Sequence, residues 1–216
     1  MPSTQYKIAE TFHSVQGEGS QGGQQAFFIR FHGCNLACTF GEFKCDDAAH
    51  SGPEFKMMTI MDMEIAARKI PDTMNIVITG GEVSLNAGIG KVIRTLKSFG
   101  FHVAVETNGY KIERLKDADL ITYSPKTQWE ENARTILYDE YLEMEFGEMP
   151  KIELKLLAGV LYPPMKMWED YPLKYVQAIG EEHDFDKPNL SFCVDWVTRN
   201  PEWYLSTQLQ KLYGVR

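Results

Sequence analysis

Short apolar runs alternate along the chain with longer stretches in which apolar residues recur every three or four positions. The runs AFFIRF (26–31), NIVITG (75–80), FHVAVE (101–106), DLITYS (119–124), KIELKLLA (151–158) and LKYVQAI (173–179) have the length and β-branched or aromatic content of buried strands. Between them, MTIMDMEIAARKI (58–70), GIGKVIRTLKSFG (88–100) and the stretch near 134–146 carry one apolar stripe each, as helices lying on a sheet do. LSFCVDWVTRN (190–200) reads as a further helix. Strand and helix in alternation predict a parallel sheet with crossover helices. Six strands are too few for a closed eight-stranded barrel. The expected fold is therefore α/β, a partial (β/α) barrel of about six parallel strands. No repeat, low-complexity tract or linker divides the chain, so residues 1–216 are expected to form a single domain.

Parallel α/β folds gather their chemistry at the carboxyl ends of the strands. The polar motifs of this chain fall at those ends. Cys34 follows the first predicted strand and Thr79-Gly80-Gly81-Glu82 closes the second. Glu106-Thr107-Asn108-Gly109 closes the third, Ser124-Pro125-Lys126 the fourth, and Gln177 the sixth.

Composition narrows the class. With 44% hydrophobic, 12% aromatic and 24% charged residues, the 216-residue chain reads as globular rather than disordered. A net charge of −8 and the absence of a basic run argue against a nucleic-acid-binding face. No apolar stretch reaches membrane-spanning length and the first residues lack the apolar core of a signal peptide, so a cytoplasmic location without membrane attachment is expected.

Four cysteines are too few for a disulfide scaffold at this length. Cys193, alone in an apolar run, reads as a buried structural thiol. Cys34, Cys38 and Cys45 fall within twelve residues and read as metal ligands. Three thiolates can hold three irons of a 4Fe–4S cluster and leave the fourth iron open to another ligand. A zinc site is the alternative; it would want a fourth protein ligand, with His32, His50, Asp46 or Asp47 at hand. The glycine pair in TGGE shifts the weight toward iron, because glycine lets backbone carbonyls approach a ligand closely.

GCNLAC followed by a third cysteine and TGGE resembles the radical S-adenosylmethionine superfamily. Within it the chain resembles the 7-carboxy-7-deazaguanine synthase family over nearly its whole length. ETFHSVQGEGSQGGQQAFFIRFHGCNLAC, VITGGE, VETNG, YSPK, IELKLL, YVQ and LSTQLQKLYGVR occur in the family's order. The cysteine spacing departs from the family's usual C-x3-C-x2-C: here it is C-x3-C-x6-C, with Lys44 at the position often held by an aromatic. Enlarged cysteine loops also occur in the family.

The resemblance implies a lyase with a 4Fe–4S cluster on Cys34, Cys38 and Cys45, using S-adenosylmethionine catalytically. The reaction it implies is ring contraction of 6-carboxy-5,6,7,8-tetrahydropterin to 7-carboxy-7-deazaguanine with loss of ammonia, in queuosine-type deazapurine biosynthesis. By position, Gln16, Gly17, Glu18, Thr79 and Glu106 correspond to substrate-binding residues, Arg30 to the arginine that grips the substrate carboxylate, and Arg216 to a C-terminal residue folded onto the substrate. A histidine usual near that end is Gln210 here. Gly81, Ser124, Pro125, Lys126, Gln177, Ala178, Ile179 and Gly180 correspond to S-adenosylmethionine contacts. Asp47 occupies the position of a magnesium-contacting threonine, and a carboxylate is a hard ligand suited to Mg2+. The implied partners are a small pterin substrate, an electron donor such as flavodoxin or ferredoxin, and a second copy in a homodimer. Two other readings remain open at this point: another radical S-adenosylmethionine enzyme such as a glycyl-radical activase, and a zinc-binding interaction module.

Overall fold

The structure is a computed structural model that describes residues 4–40, 43–45, 52–126, 136–144, 151–181, 184–185 and 187–214. Its strands are β1 (Tyr6–Val15), β2 (Gln25–Phe31), β3 (Thr39–Phe40), β4 (Phe43–Lys44), β5 (Lys56–Met58), β6 (Asn75–Gly80), β7 (His102–Thr107), β8 (Leu120–Tyr123), β9 (Lys151–Ala158), β10 (Lys174–Ala178), β11 (Gly180–Glu181), β12 (Asp184–Phe185) and β13 (Trp203–Ser206). The α-helices are α1 (Ile60–Ala67), α2 (Ile89–Ser98), α3 (Tyr138–Leu142), α4 (Lys187–Arg199) and α5 (Leu209–Tyr213).

Among the described residues, nine strands form one sheet in the order β13-β10-β9-β8-β7-β6-β2-β1-β5. From β2 to β13 every neighbour is parallel, and each new strand joins beside the one before it. Such one-directional winding makes a sector of a (β/α) barrel; a doubly wound sheet reverses its order. All six predicted strands are present, and β13 adds a seventh parallel one. β1 and β5 extend the β2 edge in antiparallel fashion. Neither β1 nor β13 stood out in the sequence. β1 carries a register shift between Ile8 and Glu10, which breaks its alternation, and β13 has only four residues.

The helices follow their stripes. α2 buries Ile89, Val92, Ile93 and Leu96, spaced three and four apart. α1 starts at a capping box in which Thr59 and Asp62 satisfy each other's backbone N–H groups. Of the stretch near 134–146, Tyr138–Leu142 is helical, and 134–135 and 145–146 lie outside the described residues. On α4, Cys193 is fully buried; its thiol donates to the Ala158 carbonyl at 3.1 Å, and burial pushes its pKa up to about 12. That is the inert structural cysteine expected.

The main core lies between the sheet and the helices, built from alternate strand residues such as Phe27, Ile29, Phe31, Ile76, Ile78, Val103 and Val105. The opposite face of the sheet is divided along the strands. Near their amino ends, Ala26, Phe28, Val77, Ala104 and Leu120 form a small apolar floor with Phe12, whose ring stacks on Phe28 at 5.0 Å. Two residues further along each strand, one pleat repeat of roughly 6–7 Å, this face turns polar.

Candidate active site

Strand register puts the polar positions in one row. Glu10 pairs with Arg30, Arg30 with Thr79, Glu106 with Thr122, and Thr122 with Glu153. The pairing of Ile78 with Val105 sets Thr79 beside Glu106, and the Thr79 hydroxyl donates to Glu106 Oε2 at 2.8 Å. A single row across six strands thus carries Glu10, Arg30, Thr79, Glu106, Thr122 and Glu153. Arg30, Thr79 and Glu106 were expected there from the sequence. Glu10, Thr122 and Glu153 were not singled out, and neither was Lys155, which stands two residues beyond Glu153 on the same face.

Arg30 donates to Glu10 Oε1 at 2.6 Å, and its guanidinium lies 5.2 Å from the centre of the Phe12 ring. The pair is partly exposed. Glu106 also accepts from Gln16 Nε2 at 3.2 Å and stands 4.0 Å from Lys155 Nζ. Gln16 itself is buried.

Glu18 is not a solvated loop charge. Its Oε2 pairs with Lys155 and its Oε1 accepts from Gln208 and Gln210, at 3.0 and 2.9 Å. Burial alone would raise its pKa; the Lys155 charge and these hydrogen bonds outweigh burial and hold the carboxyl down at about 2. Burial likewise works against the Lys155 ammonium, but Glu18 and Glu106 hold it well above the usual lysine range.

The loop carrying Gln16, Gly17 and Glu18 is closed by Gln16 N–H to the Gln24 carbonyl and Gly23 N–H to the Gln16 carbonyl, each 2.8 Å. It rests on the strand ends: Ser20 N–H donates to Glu153 Oε2 at 3.1 Å, and Gly19 N–H to Ser206 Oγ at 3.2 Å. The C-terminal segment crosses it, with Leu209 N–H on the Gly17 carbonyl at 3.3 Å. A side chain at residue 17 would run into Gln210, its Cβ lying 1.7 Å from Oε1.

Beside this row, the ends of β2 and β6 leave the sheet together. Gly81 N–H bonds the Phe31 carbonyl at 3.2 Å and Glu82 N–H the Gly33 carbonyl at 2.9 Å. A Cβ on Gly81 would lie 2.0 Å from Gly33 O and 2.9 Å from the Cys34 Cβ. These glycines also admit the neighbouring strand, and so place Cys34. Glu82 is a fully buried strut that accepts from Ser84 N–H, the Thr107 hydroxyl and Asn108 N–H at 2.7–3.0 Å, tying β6 to β7. Burial raises its pKa against those bonds. Asn108 then donates to Asn35 at 3.0 Å, anchoring the cysteine loop.

Cys34, Cys38 and Cys45 are partly exposed and form no disulfide. Cys34 Sγ accepts from Leu36 N–H at 3.4 Å, and burial, followed by the nearby Glu82 and Cys45 charges, holds its thiol up. Among the described residues, no three His, Cys, Asp or Glu side chains form a site for a metal ion. Lys126 donates to the Ser124 carbonyl and hydroxyl, both at 2.7 Å, and burial lowers its pKa to about 8. Gln177 is buried and accepts from Ser206 Oγ at 2.9 Å, while Lys211 donates to the Gly180 carbonyl at 2.8 Å. Ala178 and Ile179 are buried between them. Asp47 and Arg216 lie outside the described residues, as do Asp46 and His50.

The geometry therefore joins a three-cysteine loop, a strand-end turn and a charged row at one end of a barrel sector. Residues 28–143, more than half the chain, match the model of the Radical SAM superfamily. The 7-carboxy-7-deazaguanine synthase of Bacteroides thetaiotaomicron is 31% identical over 97% of this chain and 98% of its own length. The chain belongs to this family. The synthase of Caulobacter vibrioides is likewise 31% identical, over 97% of this chain and 99% of its own, and that of Haemophilus influenzae 29%, over 97% and 94%. The crystal structure of QueE from Escherichia coli superposes with a TM-score of 0.69 over 94% of each chain at 22% identity, a likeness of fold.

Membership in the superfamily makes the chain a radical S-adenosylmethionine enzyme and implies a 4Fe–4S cluster and S-adenosylmethionine. By donor chemistry the cluster suits this loop, since three cysteine thiols are the soft ligands iron–sulfur centres take, although among the described residues they are not gathered into a metal site. No helix among the described residues is long and apolar enough to cross a membrane.

Proposed function

We propose that the chain is a 7-carboxy-7-deazaguanine synthase that contracts 6-carboxy-5,6,7,8-tetrahydropterin to 7-carboxy-7-deazaguanine and releases ammonia. The observation that carries this reading is the register row: it sets a guanidinium, a hydroxyl and a carboxylate in line at the strand ends, next to the cysteine loop. A heterocycle with an anionic substituent and several N–H groups asks for that set of partners. Neither alternative from the sequence, a glycyl-radical activase or a zinc module, requires the Arg30–Thr79–Glu106 row.

Arg30 takes the substrate carboxylate, its fork suited to a planar anion. Glu106, oriented by Thr79 and Gln16, accepts from ring N–H groups. Glu18 and Gly17 close the pterin end. Gly81, the Ser124–Lys126 segment and the Gln177–Gly180 segment hold S-adenosylmethionine, with Cys34, Cys38 and Cys45 on the cluster. When bound and reduced, cluster and S-adenosylmethionine together supply a radical that abstracts hydrogen from the substrate; the protein's share is to hold the pterin, orient it and exclude water.

Asp47 as a Mg2+ ligand, Arg216 on the substrate, a flavodoxin or ferredoxin as reductant, and a homodimer complete the proposal on the strength of the family resemblance. The test is anaerobic reconstitution with iron and sulfide, then assay with carboxytetrahydropterin, S-adenosylmethionine and dithionite. Product absorbing as a deazaguanine, with ammonia released in equal amount, is expected. Reconstituted protein that binds S-adenosylmethionine yet leaves this pterin unchanged refutes the reading.

A further inference from the structure

Lys155 enters the site from β9 with its side chain only 7% exposed. Its ammonium pairs with Glu18 and stands 4.0 Å from Glu106 Oε1. A lysine so placed is costly to desolvate unless its partners are close and themselves hydrogen-bonded. Here they are. Glu106 is held by Thr79 and Gln16, which come from β6 and the N-terminal loop. Glu18 is held by Gln208 and Gln210, which come from the C-terminal segment. Gln16 links the two sets through neutral hydrogen bonds, accepting from Glu18 N–H on Oε1 at 3.2 Å while donating to Glu106, and Lys155 is the charge that stands between their carboxylates.

Lone-pair accounting then separates the roles of the two carboxylates. An ionised carboxylate offers about four acceptor positions. Glu18 uses three, for Lys155, Gln208 and Gln210, and has one to spare. It is the knot between loop, strand and C-terminal segment more than an open receptor. Glu106 accepts two hydrogen bonds, and at 4.0 Å the ammonium lies beyond hydrogen-bond length, so Glu106 keeps acceptor capacity for a ligand.

On the reading given under Proposed function, we propose that Lys155 is a positioning residue for the pterin. It ties the loop carrying Glu18 to β9 and sets a positive charge 4.0 Å from Glu106, and so positions the Glu106 carboxylate as an acceptor for the ring's N–H groups. Without the ammonium, no positive charge would stand between Glu18 and Glu106, and the loop carrying Glu18 would lose its tie to β9. The placement of the Glu106 acceptor would be lost with it.

The test uses the reconstituted holoenzyme of three variants: Lys155→Met, Lys155→Arg, and Lys155→Met combined with Glu18→Gln. The double variant leaves neither of those two side chains charged, which protects folding. In Lys155→Met, the pterin KM is expected to rise by about tenfold to a hundredfold, the worth of one hydrogen bond to a charged group. S-adenosylmethionine affinity, iron content and pterin-free release of 5′-deoxyadenosine should stay within about twofold of wild type on the same scale. Lys155→Arg should recover part of the loss, because it restores the charge. The double variant should fold yet keep the raised pterin KM. Wild-type turnover with an unchanged pterin KM in both Met variants overturns the inference about Lys155 alone. Parallel loss of S-adenosylmethionine affinity and iron also overturns it, by returning Lys155 to a structural role. Failure of the wild-type chain to convert the pterin overturns the functional reading itself.

Discussion

Replacing Gly81 with alanine is expected to cost both stability and iron. The new Cβ would lie 2.0 Å from Gly33 O, 2.5 Å from Gly33 C and 2.9 Å from the Cys34 Cβ. Ordinary carbon contacts need about 3.5 Å, so backbone must retreat by more than an ångström. The retreating carbonyl is the one that accepts Glu82 N–H at 2.9 Å, so a hydrogen bond worth about 1 kcal/mol is strained as well. Overpacking typically costs roughly 1–3 kcal/mol, and the sum comes to about 3 kcal/mol. Gly100→Ala is the control. Its φ of +90° also disfavours a side chain, but no atom stands within 4 Å, so only the left-handed conformation counts, about 1–2 kcal/mol. Urea denaturation of the metal-free protein reads the difference. At a slope of about 2–3 kcal/mol per molar, Gly81→Ala should lower the midpoint by about 1 M or more and Gly100→Ala by about half as much. Iron uptake should fall only in Gly81→Ala, because Gly33 leads directly into Cys34. A Gly81→Ala protein as stable as Gly100→Ala, with a full complement of iron, would refute the argument that these glycines place the cysteine loop.

Acid should weaken the fold through Glu18. Its folded pKa is about 2 against an unperturbed value of 4.5, so its stabilisation is present above the unfolded value and fades as pH falls from about 4.5 toward 2; the difference is on the order of 3 kcal/mol. Denaturation midpoints between pH 6 and 3 should therefore fall less steeply for the paired Glu18→Gln/Lys155→Met variant, and equal slopes would count against the ion pair. Cys34→Ala, Cys38→Ala and Cys45→Ala should each abolish cluster assembly, while Cys193→Ala, removing a thiol bonded only within the core, should retain it; iron and acid-labile sulfide analysis decides, and loss of iron in the Cys193 variant would contradict the ligand set. Arg30→Ala should weaken pterin binding by about tenfold to a hundredfold, with Arg30→Lys a partial rescue and S-adenosylmethionine affinity unaffected. Unchanged pterin affinity would remove Arg30 from the site.

Sequence by itself determined the parallel strands from β2 to β10, because buried strands in α/β folds read as short apolar runs whatever their neighbours. The stripe of α2 and the cluster of three cysteines were equally local, and motif order sufficed to give the family. Arg30, Thr79 and Glu106 could be named as candidates because each stands at a strand's carboxyl end in a motif the family shares. Lys155 and Glu153 were hidden inside the apolar run KIELKLLA, where alternation puts every second residue on the opposite face. Which face is core and which is site is a property of the sheet, not of the run. Tertiary structure also decided the meaning of Gly81, since its constraint is the Gly33 carbonyl, some fifty residues earlier in the chain. It decided Glu18 as well: in sequence this is a loop charge between two glycines, and only the fold brings Lys155, Gln208 and Gln210 to it. Local pattern records what each segment buries. Contacts made across nearly the full length of the chain decide which of its charges meet.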